Sequence, residues 1–158
     1  MRYELFYMAQ EKETISTVNS LIETLKDGQE GFKQAAESVK DLQLKSLFNE
    51  YSRQRSRFAS ELQSQVQSLG EVEPETSGSA AGALHRAWIN LKSAVTSGDD
   101  RAILAECERG EDSAVKEYEK AMNDDLSTSL RDLVSRQYSE VKSAHDRIRT
   151  LRDAIKQS

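Results

Sequence analysis

The chain has 158 residues, of which 31% are charged and 6% aromatic, with one proline, seven glycines and a net charge of −5 at pH 7. This length predicts one domain with a real hydrophobic core, and the scarcity of proline and glycine favours long helices. An acidic chain without a basic block is a poor nucleic-acid binder, and no apolar run approaches the ~18 residues of a membrane helix, so we expect neither nucleic acid nor membrane as a partner.

The first ten residues, MRYELFYMAQ, are interpreted as an N-terminal arm, followed by a single domain over residues 11–158. The arm lacks the apolar core of a signal peptide. The only cysteine, Cys107, excludes an intramolecular disulfide. Because Cys107 falls on an apolar helix stripe, a small buried side chain is favoured over a reactive thiol. Together these features predict a cytoplasmic protein.

Residues 11–40 predict the first long helix, because their apolar side chains recur at heptad spacing. The two series are Ile15, Ile22, Ala36 and Val18, Leu25, Phe32, Val39. A second long helix is predicted over 42–69. Its series are Leu44, Tyr51, Phe58 and Phe48, Leu62, Leu69.

Residues 71–79, EVEPETSGS, contain the only proline and predict a linker. The next stretch, AAGALHRAWINLKSAV, predicts a shorter amphipathic helix with Leu84, Trp88, Leu91 and Val95 on one side. For Trp88, anchoring of this helix to the bundle is favoured over a partner-binding role. Asp99 or Asp100 can then cap the next helix.

Two further long helices are predicted over 100–124 and 128–156, so the fold class is all-α with four long helices of ~40 Å each. The connection between the second and third long helices is far longer than the ~2 to 8 residues that a helix-to-helix loop needs. This outline favours a ferritin-like four-helix bundle, with a long crossover that includes a short helix.

A polar residue interrupts the apolar stripe of each long helix near its middle. The four residues are Gln29, Arg55, Glu111 and Gln137. A buried carboxylate or guanidinium without a partner costs several kcal/mol, whereas the two together can satisfy one another in bidentate geometry. We therefore predict a buried Arg55–Glu111 pair, bracketed by the two glutamines, that fixes the register of the helices.

The alternative interpretation is a degenerate metal site formed by Glu108, Glu111 and His145. Ferritin-like di-iron proteins use a glutamate on each of two helices and a Glu-x-x-His motif on each of the other two. This chain contains no Glu-x-x-His, although Glu108 and Glu111 share a helix face. Arg55 would also place a positive charge where a cation should bind, so no cofactor is the favoured expectation, with iron or manganese as the alternative.

Four stretches are more specific than ordinary helix composition. They are DGQEGFKQAAE (27–37), SGSAAGALHRAWINLK (77–92), AILAECERGEDSAVKEYEKA (102–121) and RQYSEVKSAHDRIRTLRD (136–153). These strings resemble a bacterial family of ferritin-like proteins described as a domain of unknown function, over residues 14–154. The resemblance implies a ferritin-like four-helix fold and a bacterial origin, and it implies no activity.

The sequence therefore predicts a non-enzymatic helical protein, structural or stress-related, that forms a homo-oligomer, with a dimer favoured. An enzyme is not indicated, because no nucleophile with a histidine and an acid is apparent, and no glycine-rich phosphate loop is present. His85 is interpreted as a surface or hinge histidine. The second function hypothesis is a metal-binding ferritin-like protein.

Overall fold

The computed structural model describes residues 2–69, 88 and 90–155, and this part of the chain forms five helices. They are α1 (Arg2–Ser38), α2 (Leu42–Ser68), α3 (Leu91–Ser97), α4 (Asp100–Met122) and α5 (Thr128–Ala154). The fold is all-α, as predicted, and the described helices include none that is long and apolar enough to cross a bilayer. The predicted linker at 71–79 and His85 lie outside the described residues.

Short polar side chains begin three of the helices. Asp41, Asp99 and Ser127 each accept a hydrogen bond from a main-chain N–H in the first turn of α2, α4 and α5, respectively. Such caps satisfy donors that have no partner within the helix. Gly98 ends α3 with φ 67°, a left-handed conformation that glycine adopts without steric cost. Capping thus explains the turns on either side of α4.

Contacts at both ends show that α1 and α4 are antiparallel. Just after α4 ends, Asp124 Oδ2 accepts a hydrogen bond at 2.5 Å from the hydroxyl of Thr17, in the first half of α1. At its other end, the Asp100 carboxylate accepts from the main-chain N–H groups of Lys40 and Asp41 at 2.9 and 3.0 Å. Because α1–α2 is also an antiparallel hairpin, α2 and α4 run parallel. A short turn cannot join two parallel helices, so these directions require the long connection that the sequence predicts.

The N-terminal residues differ from the prediction, because they are not a separate arm but the first turns of α1. The segment contains no glycine or proline, and Glu4, Leu5 and Met8 are strong helix formers, so the helix extends through it. What changes near residue 10 is burial: Arg2–Phe6, Met8 and Ala9 are exposed, and the first fully buried side chain is Val18.

The structure describes a short helix between α2 and α4. Its described part is α3, Leu91–Ser97, whereas Trp88 lies in a bend before it. Residues 80–87, which the prediction included, lie outside the described residues. Trp88 and Leu91 are nevertheless both buried, as their shared apolar spacing implied.

The core divides into two hydrophobic clusters along the bundle. The first is mainly aliphatic and includes Leu25, Leu62, Val134 and Tyr118. The second is rich in aromatic side chains. It includes Phe32, Phe48, Tyr51, Trp88 and Ile148. Along α2, Arg55 lies between Tyr51 of the second cluster and Phe58 of the first. The candidate polar centre therefore marks the boundary between two differently built regions.

Candidate functional site

Arg55 and Glu111 form a buried, bidentate ion pair between α2 and α4. Arg55 Nη1 donates to Glu111 Oε1 at 2.9 Å and Nη2 donates to Oε2 at 2.8 Å. Each side chain is only 1% exposed. The two parallel hydrogen bonds give the pair a fixed geometry and use both oxygens of the carboxylate.

Neighbouring side chains on three sides hold the Arg55 guanidinium in place. Its Nε donates to Gln54 Oε1 at 3.2 Å. The Phe32 ring of α1 lies under the guanidinium, with the Arg55 Cζ 5.4 Å from the ring centroid, a cation–π contact. A Cβ on Gly28 would lie 3.5 Å from Arg55 Cγ, so α1 packs closely on the arginine stem. The guanidinium therefore has little freedom to move out of the core.

Burial dominates the electrostatics of this centre. It raises the pKa of Glu111 above its ordinary value, because a charged carboxylate loses its hydration; the positive charge and hydrogen bonds of Arg55 act in the opposite direction. Burial likewise raises the pKa of the Cys107 thiol well above its ordinary value, and the negative charges of Glu111 and Glu106 add to that shift. Cys107 is thus a protonated, inaccessible thiol, as its place on the apolar stripe predicts.

Gln137 is buried but lies apart from the Arg55–Glu111 pair, contrary to the predicted single layer. It accepts a hydrogen bond from the Tyr118 hydroxyl at 2.7 Å and donates to the Phe58 carbonyl oxygen at 3.3 Å. The reason is the register of α5 against α2, in which Gln54 faces Glu140. Gln137 is therefore about one turn away from Arg55 along α5.

Gln29 is also outside the predicted layer, because its side chain is only half-buried. The residue of α1 that faces Arg55 is its neighbour Gly28, which is buried. A straight helix has 3.6 residues per turn, so a stripe drawn on a strict heptad drifts around it and changes which residue faces inward. Gln29 contributes through its main chain: its carbonyl oxygen accepts from the Ser52 hydroxyl at 2.8 Å.

The three candidate metal ligands are not brought into one site. Glu111 pairs with Arg55, whereas Glu108 accepts from Arg149 Nε at 3.3 Å and from Arg152 Nη1. Within residues 2–69, 88 and 90–155, no group of three histidine, cysteine or acidic side chains is placed to hold a metal. Glu108, three residues before Glu111, points instead to the α5 surface, where Arg149 and Arg152 reach it.

His145 binds two carboxylates instead. Its Nε2 lies 2.5 Å from Asp112 Oδ1 and its Nδ1 lies 2.9 Å from Asp146 Oδ1. Because both ring nitrogens face acceptors, neither is directed at a nucleophile, as a catalytic base would require. The geometry makes His145 a link between α4 and α5.

Two glycines form a flat seat for Trp88, and sequence reasoning did not identify them. A Cβ on Gly31 of α1 would lie 2.6 Å from the indole Cδ2, and one on Gly110 of α4 would lie 2.3 Å from its Cε2. Phe32 meets the same indole edge-on, with centroids 5.3 Å apart. Glycine in a helix interior costs about 1 kcal/mol relative to alanine. The presence of Gly31 and Gly110 inside predicted helices was therefore the sequence signal that could have indicated this close contact.

The glycine seat and the ion pair are adjacent, since Gly110 precedes Glu111. A groove of about 280 Å³ between α1 and α4 passes both, and its lining includes Asp27, Gly28 and Trp88. The stretches DGQEGF and CERGED therefore meet Trp88 at one place in the fold.

A family model described as Domain of unknown function (DUF2383) matches residues 13–124. The chain belongs to the DUF2383 family. None of the proteins with curated descriptions matches it. The matched range contains Arg55, Glu111 and the whole Trp88 seat, and it ends before α5. In this DUF2383 domain the ion pair and the seat thus lie inside the part that the family model matches.

Proposed function

We propose that this protein is a bacterial, cytoplasmic, ferritin-like four-helix bundle with a structural, non-enzymatic role, and that an arginine–glutamate pair occupies the place where its metal-binding counterparts would hold ions. The observation that supports this most is the bidentate contact between Arg55 and Glu111, each only 1% exposed. Both carboxylate oxygens are engaged, and the guanidinium charge opposes entry of a cation.

The antiparallel pairing of α1 with α4 and the long connection after α2 support the ferritin-like part of the proposal. The separation of Glu108, Glu111 and His145 onto different partners supports the absence of metal chemistry. A pair of this kind gives little net stability, because removing two charges from water costs about as much as their attraction returns. Its role is to select which helices pack together and in which register.

Elemental analysis of protein purified without added metal tests this proposal, together with a titration by ferrous iron and by manganese. We expect less than stoichiometric metal and no ferrous oxidation above the rate of buffer. A matched variant, Glu108→Gln, should behave as the parent protein does. Stoichiometric iron or manganese that is lost in Glu111→Ala or His145→Ala would support the metal-binding alternative instead.

A further inference from the structure

A pocket at the end of the bundle that holds the α1–α2 turn is lined mainly by apolar side chains. It has a volume of about 180 Å³, and its apolar walls come from α2, α4 and the end of α5. They are Leu44, Leu47, Leu104, Leu151, Ala154 and Ile155. An apolar cavity of about 150 Å³ holds a six-carbon ligand, so this pocket has room for an aliphatic group of similar size.

Arg147 supplies a positive charge to this pocket and has no acidic partner of its own. The other arginines of α5 are all engaged: Arg136, Arg149 and Arg152 pair with acids, and Arg131 donates to two main-chain carbonyl oxygens. In the part of the chain that the structure describes, Arg147 has no carboxylate within 4.0 Å. Its guanidinium is therefore available to a carboxylate from outside, which it can hold by two parallel hydrogen bonds.

Asp41 supplies a negative charge to the same pocket. Its Oδ1 accepts from the main-chain N–H groups of Gln43 and Leu44 at 2.8 and 3.0 Å and so caps α2. Its Oδ2 has no hydrogen bond to any described residue, and the side chain is exposed. A carboxylate oxygen of this kind can accept from an ammonium group while the other oxygen keeps the helix capped.

We propose that this pocket binds a small zwitterion with an aliphatic body, namely an α-amino acid with an apolar side chain. The α-carboxylate pairs with the Arg147 guanidinium, the α-ammonium donates to Asp41 Oδ2, and the side chain fills the apolar space between the helices. A purely anionic ligand would be repelled by Asp41 and a purely cationic one by Arg147, whereas a zwitterion complements both charges. An apolar pocket with a few placed polar groups is the usual form of a small-ligand site.

Titration of the full chain with L-leucine, followed in methyl NMR spectra, tests the site. We expect a dissociation constant of about 0.1 to 1 mM, with the largest shifts at the methyl groups of Leu44, Leu47, Leu104 and Leu151. 4-Methylpentanoate lacks the ammonium and 3-methylbutylamine lacks the carboxylate, so each should bind about 10-fold more weakly. L-Alanine lacks most of the apolar body and should also bind at least about 10-fold more weakly.

Variants of the two charged residues should each remove one of these preferences. Asp41→Asn keeps a good cap, because asparagine caps helices as aspartate does, and should abolish the preference for leucine over 4-methylpentanoate. Arg147→Gln should abolish the preference for leucine over 3-methylbutylamine. The matched controls are Asp99→Asn, at the cap of α4, and Arg136→Gln, at another exposed arginine of α5. Both should bind leucine as the parent protein does.

Circular dichroism should show all four variants folded, because every changed side chain is exposed. The absence of methyl shifts with about 10 mM leucine would overturn the proposal. So would equal binding of leucine and its two analogues by the parent protein, or a loss of leucine binding in the controls as large as in Asp41→Asn and Arg147→Gln. Filling of the pocket by a second copy would overturn it too, and would appear as concentration-dependent methyl shifts without ligand that Leu42→Ser abolishes.

Discussion

Two neighbouring centres of this protein hold helices together by different physical means. At the first, Arg55 and Glu111 join α2 and α4 through two charge-assisted hydrogen bonds. At the second, Trp88 packs against Gly31 of α1 and Gly110 of α4, where shape alone decides the contact. The first centre depends on the opposite charges of its two side chains. The second depends on the absence of a Cβ atom at each of the two glycines. One helix turn of α4 therefore combines electrostatic and steric selection of its neighbours.

The largest expected effect is at the ion pair. Arg55→Ala should lower the free energy of unfolding by about 3 to 5 kcal/mol, because it leaves Glu111 buried without a counter-charge. The Arg55→Leu/Glu111→Leu variant should be much milder, or even stabilising, since both charges are removed together. Urea unfolding of these proteins and of Glu111→Ala provides the measurement. A double variant as unstable as the sum of the single ones would show that the pair is not coupled.

The next effect distinguishes the seat from an ordinary helix position. Gly110→Ala should destabilise the fold by about 1 to 3 kcal/mol, because its new Cβ would overlap the Trp88 indole and force it out. Gly28→Ala is the matched control: its Cβ would meet Arg55 at an ordinary 3.5 Å, so helix propensity should make it neutral or stabilising by up to about 1 kcal/mol.

Thermal melts and the emission of Trp88, the only tryptophan, measure both variants. Gly110→Ala should shift the emission to longer wavelength as the indole meets water, and Gly28→Ala should not. Equal stability of the two variants would contradict the steric role of the seat.

An effect of similar size is expected at the neutral hydrogen bond between Tyr118 and Gln137. Tyr118→Phe removes the hydroxyl that donates to Gln137 Oε1 at 2.7 Å and leaves a buried acceptor unpaired. The expected loss is about 1 to 3 kcal/mol in urea unfolding. Tyr138→Phe, a half-buried tyrosine on α5, is the control and should change little. A loss as large as that of Arg55→Ala would remove the distinction between charged and neutral contacts.

The smallest effect concerns an ion pair at the surface. Hydrogen bonds from His145 and Lys142 lower the pKa of Asp146 below its ordinary value. A carboxyl whose pKa is lower in the folded state contributes stability at neutral pH, and this contribution is lost as the pH falls through that lowered pKa. Asp146→Asn should therefore flatten the acid side of the Tm–pH curve slightly, and Asp132→Asn, an exposed aspartate of the same helix, should leave it unchanged. A steeper acid side in Asp146→Asn would reverse the assigned sign.

Much of the architecture could be read from local patterns. Apolar spacing located the four long helices, and an aspartate at 99 or 100 was predicted to cap α4, which Asp99 does. Arg55 and Glu111 could be proposed as partners because each is a charge on an apolar stripe, and such a charge needs a counter-charge. The length of the connection after α2 similarly indicated that α2 and α4 are not joined by a simple turn.

The sequence by itself determined the long helices and the need for a buried counter-charge, since these depend on spacing and on the cost of burying a lone charge. Only the tertiary structure decided the position of Gln137 along the bundle, because that position follows from the register of α5 on α2. It decided as well that Gly28, and not Gln29, faces inward. It also decided that Gly31 and Gly110 receive Trp88. The sequence does not show which side chain packs on a glycine. That contact depends on how distant helices approach one another, and the glycine only leaves the room for it.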